Sequence, residues 1–331
     1  MLAGSEIMSS YQNAESLSLL AGPERAPLKV KIRKLIIPFT LSCAMVVDIL
    51  DAPGNLSLPT TAFLKLYDRR FATQRRQDQK VDDPWTPNID LELLEYSRNG
   101  EAEKFLADYE DDPENNEFDH DWPRAKKETY LADLMKEQFE TETKVYDALI
   151  KHQGTYIPKL FTTVILDFST EKDAGRPPHL FYAYGILIEF IDGFMASQIN
   201  QFAKAKDWEF LVNEASKVVG AVFNDVPIVN QDIRPANMMI CQTDGEPRYR
   251  LVLIDFGQCE FRDGETDEEW GRIKHTQDEE GAMGYVIVLQ LRNKTGVEVK
   301  YVWPRTWVDF AETEEETLHL MSKDTEKKAD S

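Results

Sequence analysis

From Leu28 to Asp51 the chain runs in short blocks of Val, Ile and Leu separated by polar residues, a pattern that predicts two strands. Asp51-Ala-Pro-Gly-Asn55 reads as a turn. In TTAFLKLYDRRF, alternation puts Ala62, Leu64 and Leu66 on one face of a third strand and Phe63, Lys65 and Tyr67 on the other. A helical period takes over from about Arg124 to Lys151, with Leu131, Met135, Phe139, Tyr146 and Leu149 spaced by threes and fours. The position missing from that stripe is Glu142. A buried carboxylate is costly unless a cation meets it. Either a cation does so, or the helix is turned slightly and Glu142 lies at the rim in water.

Two further strands, KLFTTVILDF and LFYAYGILIEFI, flank the polar loop DAGRPPH and read as a hairpin. FMASQINQFAKAKDW predicts a short helix. EFLVNEASKVVGAVFNDV predicts a longer one with a stripe of Leu211, Ala215, Val218, Val219 and Val222. MMICQ and RYRLVLI read as short strands turning at Thr243-Asp244-Gly245, and two or three helical segments follow. Residues 1–27 read as a disordered lead-in and 321–331 as a disordered, frayed tail. The charged stretch from about 72 to 125 reads as a solvated insertion around a possible helix, LELLEYSRNGEAEKFLADY.

Composition narrows the function. The 331 residues are 42% hydrophobic and 29% charged, enough for a real core in one large domain or two lobes. The net charge of -21 argues against nucleic acid or an anionic membrane as the main partner, since both select basic surfaces. Nucleotides, held by local charges and backbone N–H groups, stay open. Cys43, Cys241 and Cys259 are far apart with no C-x-x-C pair, so neither a disulfide framework nor a zinc site is expected. LIIPFTLSCAMVVDIL is broken by Pro38 and is too short to span a bilayer, and the first residues lack the pattern of a signal peptide. The expectation is an intracellular protein, cytoplasmic or nuclear.

The chemistry concentrates in VNQDIRPANMMI and LVLIDFGQ. Asp232 and Asn237 lie on a loop at the exit of the long helix, and Asp255 ends the second strand of the hairpin that follows. Such a hairpin brings Asn237 close to Asp255, and their oxygens suit Mg2+. Asp232 is then free to orient a hydroxyl. That equipment fits in-line phosphoryl transfer, in which catalysis is mainly positioning and charge neutralisation.

Asp232-Ile-Arg-Pro-Ala-Asn237 followed by Asp255-Phe256-Gly257 resembles the protein-kinase catalytic loop and magnesium-binding motif. The resemblance spans roughly residues 28–320. With KLYDRRF and the acidic insertion, it points to the kinase-like proteins abundant in fungi, with a later chain like that of aminoglycoside phosphotransferases. It implies an α+β bilobal fold. An N-lobe over 28–188, mostly antiparallel β with one main helix, would precede a mostly helical C-lobe over 189–320. It implies ATP and Mg2+ as cofactors, with Asp232 and Arg234 as catalytic residues and Asn237 and Asp255 as metal ligands. Lys65 would bind phosphates and pair with Glu142. The backbone of Glu189, Phe190 and Ile191 would hold adenine.

The chain departs from that pattern at several places. The glycine-rich phosphate loop is replaced by LSCAMVV, leaving Ser42, Cys43 and Ala44 to approach the phosphates. Asn230-Gln231 replaces the usual His-Arg, which removes the anchor for an activation-loop phosphate. No A-P-E follows, and the segment after Gly257 does not read as a peptide platform. The expectation is an ATP- and Mg2+-dependent phosphotransferase acting on a hydroxyl of a protein or a small molecule. One variant of it is an enzyme of the antibiotic-kinase kind, whose cationic substrate the acidic chain would attract. The alternative is a pseudokinase that binds nucleotide or protein.

Overall fold

The computed structural model describes residues 11–81, 84–112, 122–169, 178–245 and 248–311. The chain divides into two compact units. The first runs to Thr143 and resumes over Lys159–Phe190; the second takes Lys144–Pro158 and the chain from Ile191 onward. The architecture is α+β, with antiparallel strands in the N-terminal unit and a more helical C-terminal part.

The first unit is built on six strands: β1 (Ser16–Ala21), β2 (Ala26–Ile36), β3 (Cys43–Asp51), β4 (Thr61–Tyr67), β5 (Leu160–Asp167) and β6 (Tyr182–Ile188). They close into an antiparallel barrel in the order β1-β2-β3-β4-β6-β5. Alternation along each strand fills the interior with Leu17, Leu19, Leu28, Val30, Met45, Val47, Leu64, Leu66 and Leu187. Burying each of these large apolar side chains stabilises by about 1.5–3 kcal/mol.

The disordered lead-in expected over residues 1–27 is corrected here. Residues 11–27 are ordered and include the whole of β1, which pairs with β2 and β5. The buried Leu17, Leu19 and Ala21 explain why: their face completes the barrel interior. The first ten residues of that lead-in lie outside the described residues, as do the expected tail at 321–331, most of the acidic run at 113–121 and the loop at 170–177.

The insertion is also more built than expected. It holds α1 (Thr73–Asp78), α2 (Pro87–Arg98) and α3 (Glu101–Asp111), so the first unit has more than one main helix. The single helix read from LELLEYSRNGEAEKFLADY breaks at Asn99-Gly100, where Gly100 takes a φ of 74°. Leu93, Leu94 and Ala102 pack with Ala132, Leu180 and Phe181. Charges add to this. The buried Arg69 pairs with Asp90 and with Glu128 (2.7 Å), and Arg76 takes the other Glu128 oxygen (2.7 Å). Glu128 lies on α4 (Arg124–Ala148), the long helix read from its apolar period.

The second unit carries two small sheets. β7 (Phe194–Met195), β9 (Met238–Gln242) and β10 (Tyr249–Leu253) form one, and β8 (Ile228–Asn230) pairs with β11 (Cys259–Phe261) in the other. Between β7 and β8 lie the short α5 (Ile199–Phe202) and α6 (Trp208–Phe223), whose predicted stripe is buried throughout. The helices α7 (Asp267–Gln277) and α8 (Glu279–Thr295) follow.

Candidate functional site

In the first unit the site rests on β4. Lys65 lies opposite Ala44 of β3 and Ile186 of β6, so its backbone is fixed on both sides. Its ammonium donates to Glu142 Oε2 at 2.6 Å. Glu142 is 1% exposed, on the stripe of α4 where the period skips a hydrophobe. The cation therefore meets the carboxylate; the alternative of a solvated Glu142 is not what the helix adopts. Tyr67, two residues on and on the same strand face, donates its hydroxyl to the same Glu142 oxygen. Its ring packs edge-on against Phe139, with the Lys65 ammonium 5.3 Å from the ring centre.

In the second unit the loop between β8 and β9 carries the other polar residues. Asn237 Nδ2 donates to the Asp232 carbonyl (2.9 Å) and to Asp232 Oδ2 (2.8 Å). Arg234 meets the same carboxylate at 3.1 Å, from a side chain 54% exposed. The hairpin of β9 and β10 pairs Met238 with Leu253, and the Ile254 N–H donates to the Asn237 carbonyl at 2.9 Å. The residue after Ile254 is Asp255, with a φ of 67°. One backbone hydrogen bond thus ties Asn237 to the neighbour of Asp255. Phe256 is fully buried, its ring edge-on to Tyr146 (5.4 Å) and Phe223 (6.3 Å).

This loop is held from behind. The Asn230 N–H donates to Glu279 Oε1 (2.7 Å), Gln277 donates to the Asn230 carbonyl (3.1 Å), and Asn230 Oδ1 accepts the Asp232 N–H (2.8 Å). Glu279 pairs with the buried Lys274, whose ammonium also donates to the Phe223 and Ile228 carbonyls. Burial pushes the Glu279 carboxyl above the usual range, against the pull of Lys274.

The chain is similar to solved protein kinase domains. It matches the Rio2 kinase–ADP/Mg2+–phosphoaspartate complex from Chaetomium thermophilum at 11% identity, over 85% of this chain and 60% of that one, with a TM-score of 0.46. It matches the PknI kinase domain of Mycobacterium tuberculosis at 12% identity, over 85% and 81%, with a TM-score of 0.35. It matches a specific rhoptry antigen kinase domain of Toxoplasma gondii at 8% identity, over 86% and 73%, with a TM-score of 0.45. No family model and no curated protein matches the sequence. At these identities the likeness concerns fold alone, and the chemistry is argued from the chain's own side chains.

Ser42, Cys43 and Ala44, expected from the sequence to approach phosphates, are not all in a loop. Only Ser42 belongs to the turn between β2 and β3; Cys43 and Ala44 are already in β3, in register with Leu66 and Lys65. The Cys43 side chain is wholly inside the barrel core, where burial pushes its thiol well above the usual value. The turn itself is pinned by α1: Thr73 donates its hydroxyl to the Phe39 carbonyl, and the Gln74 N–H donates to the Thr40 carbonyl at 3.2 Å. Of the residues expected from the sequence to hold adenine, Glu189 donates its N–H to the Lys159 carbonyl (2.8 Å), and Phe190 is the last residue of the first unit. Ile191 is buried at the start of the second.

Sequence reasoning missed Tyr67, Asn230, Lys274 and Glu279 as contributors. Tyr67 had a signal, since alternation already placed it on the face of Lys65. Lys274 and Glu279 had none, because they stand in an acidic run whose other charges are solvated.

Proposed function

We propose that the chain is an ATP- and Mg2+-dependent phosphotransferase acting on a hydroxyl acceptor. The observation that carries this reading is the hydrogen bond from Ile254 to Asn237, which sets two hard-oxygen side chains, Asn237 and Asp255, at one end of a hairpin beside Asp232. Asn237 spends its Nδ2 on Asp232, which leaves its amide oxygen for a cation. With Asp255 that makes a donor set fit for Mg2+, which is completed by phosphate oxygens and water rather than by a full protein cage. Bound Mg2+ would neutralise charge on the phosphates.

The side chains then divide the work. Lys65, held by Glu142, neutralises the nucleotide phosphates. Asp232, steadied by Asn237, accepts a hydrogen bond from the attacking hydroxyl and orients it. Arg234 balances Asp232 at rest and has the exposure and the planar donors to meet the transferred phosphoryl group. The acceptor is a protein hydroxyl or that of a small molecule.

The pseudokinase reading has one observation in its favour. The turn where phosphates would sit has two carbonyls tied to α1 and no glycine. Calorimetry of ATP binding, with and without Mg2+, separates the two. Magnesium-dependent binding that disappears in Asp255→Asn supports the transferase. No binding at about millimolar ATP, near the weak end of usable affinity, overturns it.

A further inference from the structure

We infer that Tyr67 is a positioning residue of the Lys65–Glu142 pair, holding the carboxylate that aims the lysine. The inference rests on the phosphate-binding role proposed for Lys65. It starts from a geometric fact: two donors share one oxygen, Glu142 Oε2, the Lys65 ammonium at 2.6 Å and the Tyr67 hydroxyl beside it. Both are buried with the carboxylate, and Tyr67 packs with Ala72, Met135 and Phe139.

A carboxylate so buried loses its water and is stable only while donors replace it. If Lys65 alone supplied that compensation, every movement of its ammonium toward a nucleotide phosphate would weaken the hold on Glu142. The Tyr67 hydroxyl removes that conflict. It is a neutral donor on a stiff ring, fixed by the strand and by its contact with Phe139. It keeps Glu142 aimed while Lys65 shares its protons between carboxylate and phosphate. A charge-assisted hydrogen bond of this kind contributes more than a neutral one.

The test is a double-mutant cycle with MgATP as the probe. In the intact chain, Tyr67→Phe weakens MgATP binding roughly 10- to 100-fold, the size expected for one hydrogen bond to a charged group. In the Lys65→Met background it causes no further loss, because Tyr67 acts only through the lysine. An equal loss in both backgrounds, or none in either, overturns the inference and leaves Tyr67 as a packing residue.

A second readout needs no nucleotide. The ammonium signal of Lys65 in proton–nitrogen NMR, assigned by its disappearance in Lys65→Met, exchanges with solvent several-fold faster in Tyr67→Phe. An unchanged exchange rate overturns the positioning role. If the wild-type chain fails to bind MgATP yet this signal responds, the transferase reading falls and the role of Tyr67 stands. Should Tyr67→Phe not fold, a contact between the Tyr67 hydroxyl proton and the Lys65 ammonium protons in the wild-type spectrum decides the matter, and its absence sinks the inference.

Discussion

Asp68 has no exposure to solvent and yet keeps its charge. Its carboxylate accepts the Tyr11 hydroxyl at 2.6 Å, the Arg70 N–H at 3.0 Å and the Arg70 guanidinium at 2.7–2.9 Å. Burial by itself would raise this carboxyl, but the Arg70 charge and these hydrogen bonds outweigh it and hold the group below the ordinary 3.8. The folded state therefore binds the Asp68 proton less readily than the unfolded chain does. The stabilisation is complete above 3.8 and disappears as pH falls through the lower folded value. Urea melts of wild type and Asp68→Asn should differ most near neutrality and converge toward acid. Thiol chemistry offers a second check at this scale. Cys43 is a core residue with a raised thiol, whereas Cys241 is partly exposed. Alkylation of the native chain followed by peptide mapping should mark Cys241 and spare Cys43.

The residues that sequence alone made legible were those that interrupt a pattern. Glu142 was visible because it broke an apolar stripe, and Lys65 through the family resemblance of its strand. Asn237 and Asp255 were visible as polar ends of apolar runs. Cys43 misled because it stands where a glycine loop was expected, and nothing in LSCAMVV marks where the turn stops and β3 begins. Asp68 and Arg70 were hidden in a run of charges that composition alone would assign to the surface.

Among elements, the two helices that end the described chain illustrate how small residues make room. A Cβ on Gly284 of α8 would lie 2.2 Å from the Tyr301 ring, and one on Gly271 of α7 would lie 2.3 Å from Phe310. Both rings come from the segment after α8, so these notches are where it packs. Tyr301 is held further by contacts of its hydroxyl with Ser216 and with the Glu280 and Gly281 carbonyls. Gly284→Ala should therefore destabilise by about 1–3 kcal/mol despite the better helix propensity of Ala, and differential scanning calorimetry should show a lowered midpoint. Here two or three helical segments were legible, without their bounds. The short β1 was not, because SLSLLA offers only four apolar positions before the polar turn at Gly22–Arg25 and gains its meaning only from β2 and β5.

At the scale of the whole molecule, a net charge of -21 sets up a self-repulsion that no single ion pair offsets. Many of the pairs that matter, such as Arg69–Glu128 and Lys274–Glu279, are buried and little affected by salt. Added salt should thus screen the repulsion more than it weakens the bridges. The thermal midpoint should rise between low ionic strength and about 0.5 M sodium chloride, where the Debye length is only about 4 Å. A falling midpoint would mean that surface pairs dominate instead.

The closure of the barrel by β1 reaches beyond the stability of one chain. An open sheet presents unpaired N–H and C=O groups along its two outermost strands, and these are templates for another molecule's backbone. With β1 in place, β2 and β5 each have a neighbour and the barrel closes without an open margin. Removing Ser16–Ala21 would leave β2 and β5 as free margins of a five-stranded sheet. A chain shortened to start at Ala26 should therefore self-associate in a concentration-dependent way, visible by light scattering. Six residues within a stretch read as disordered would then be what blocks edge-to-edge pairing of the barrel.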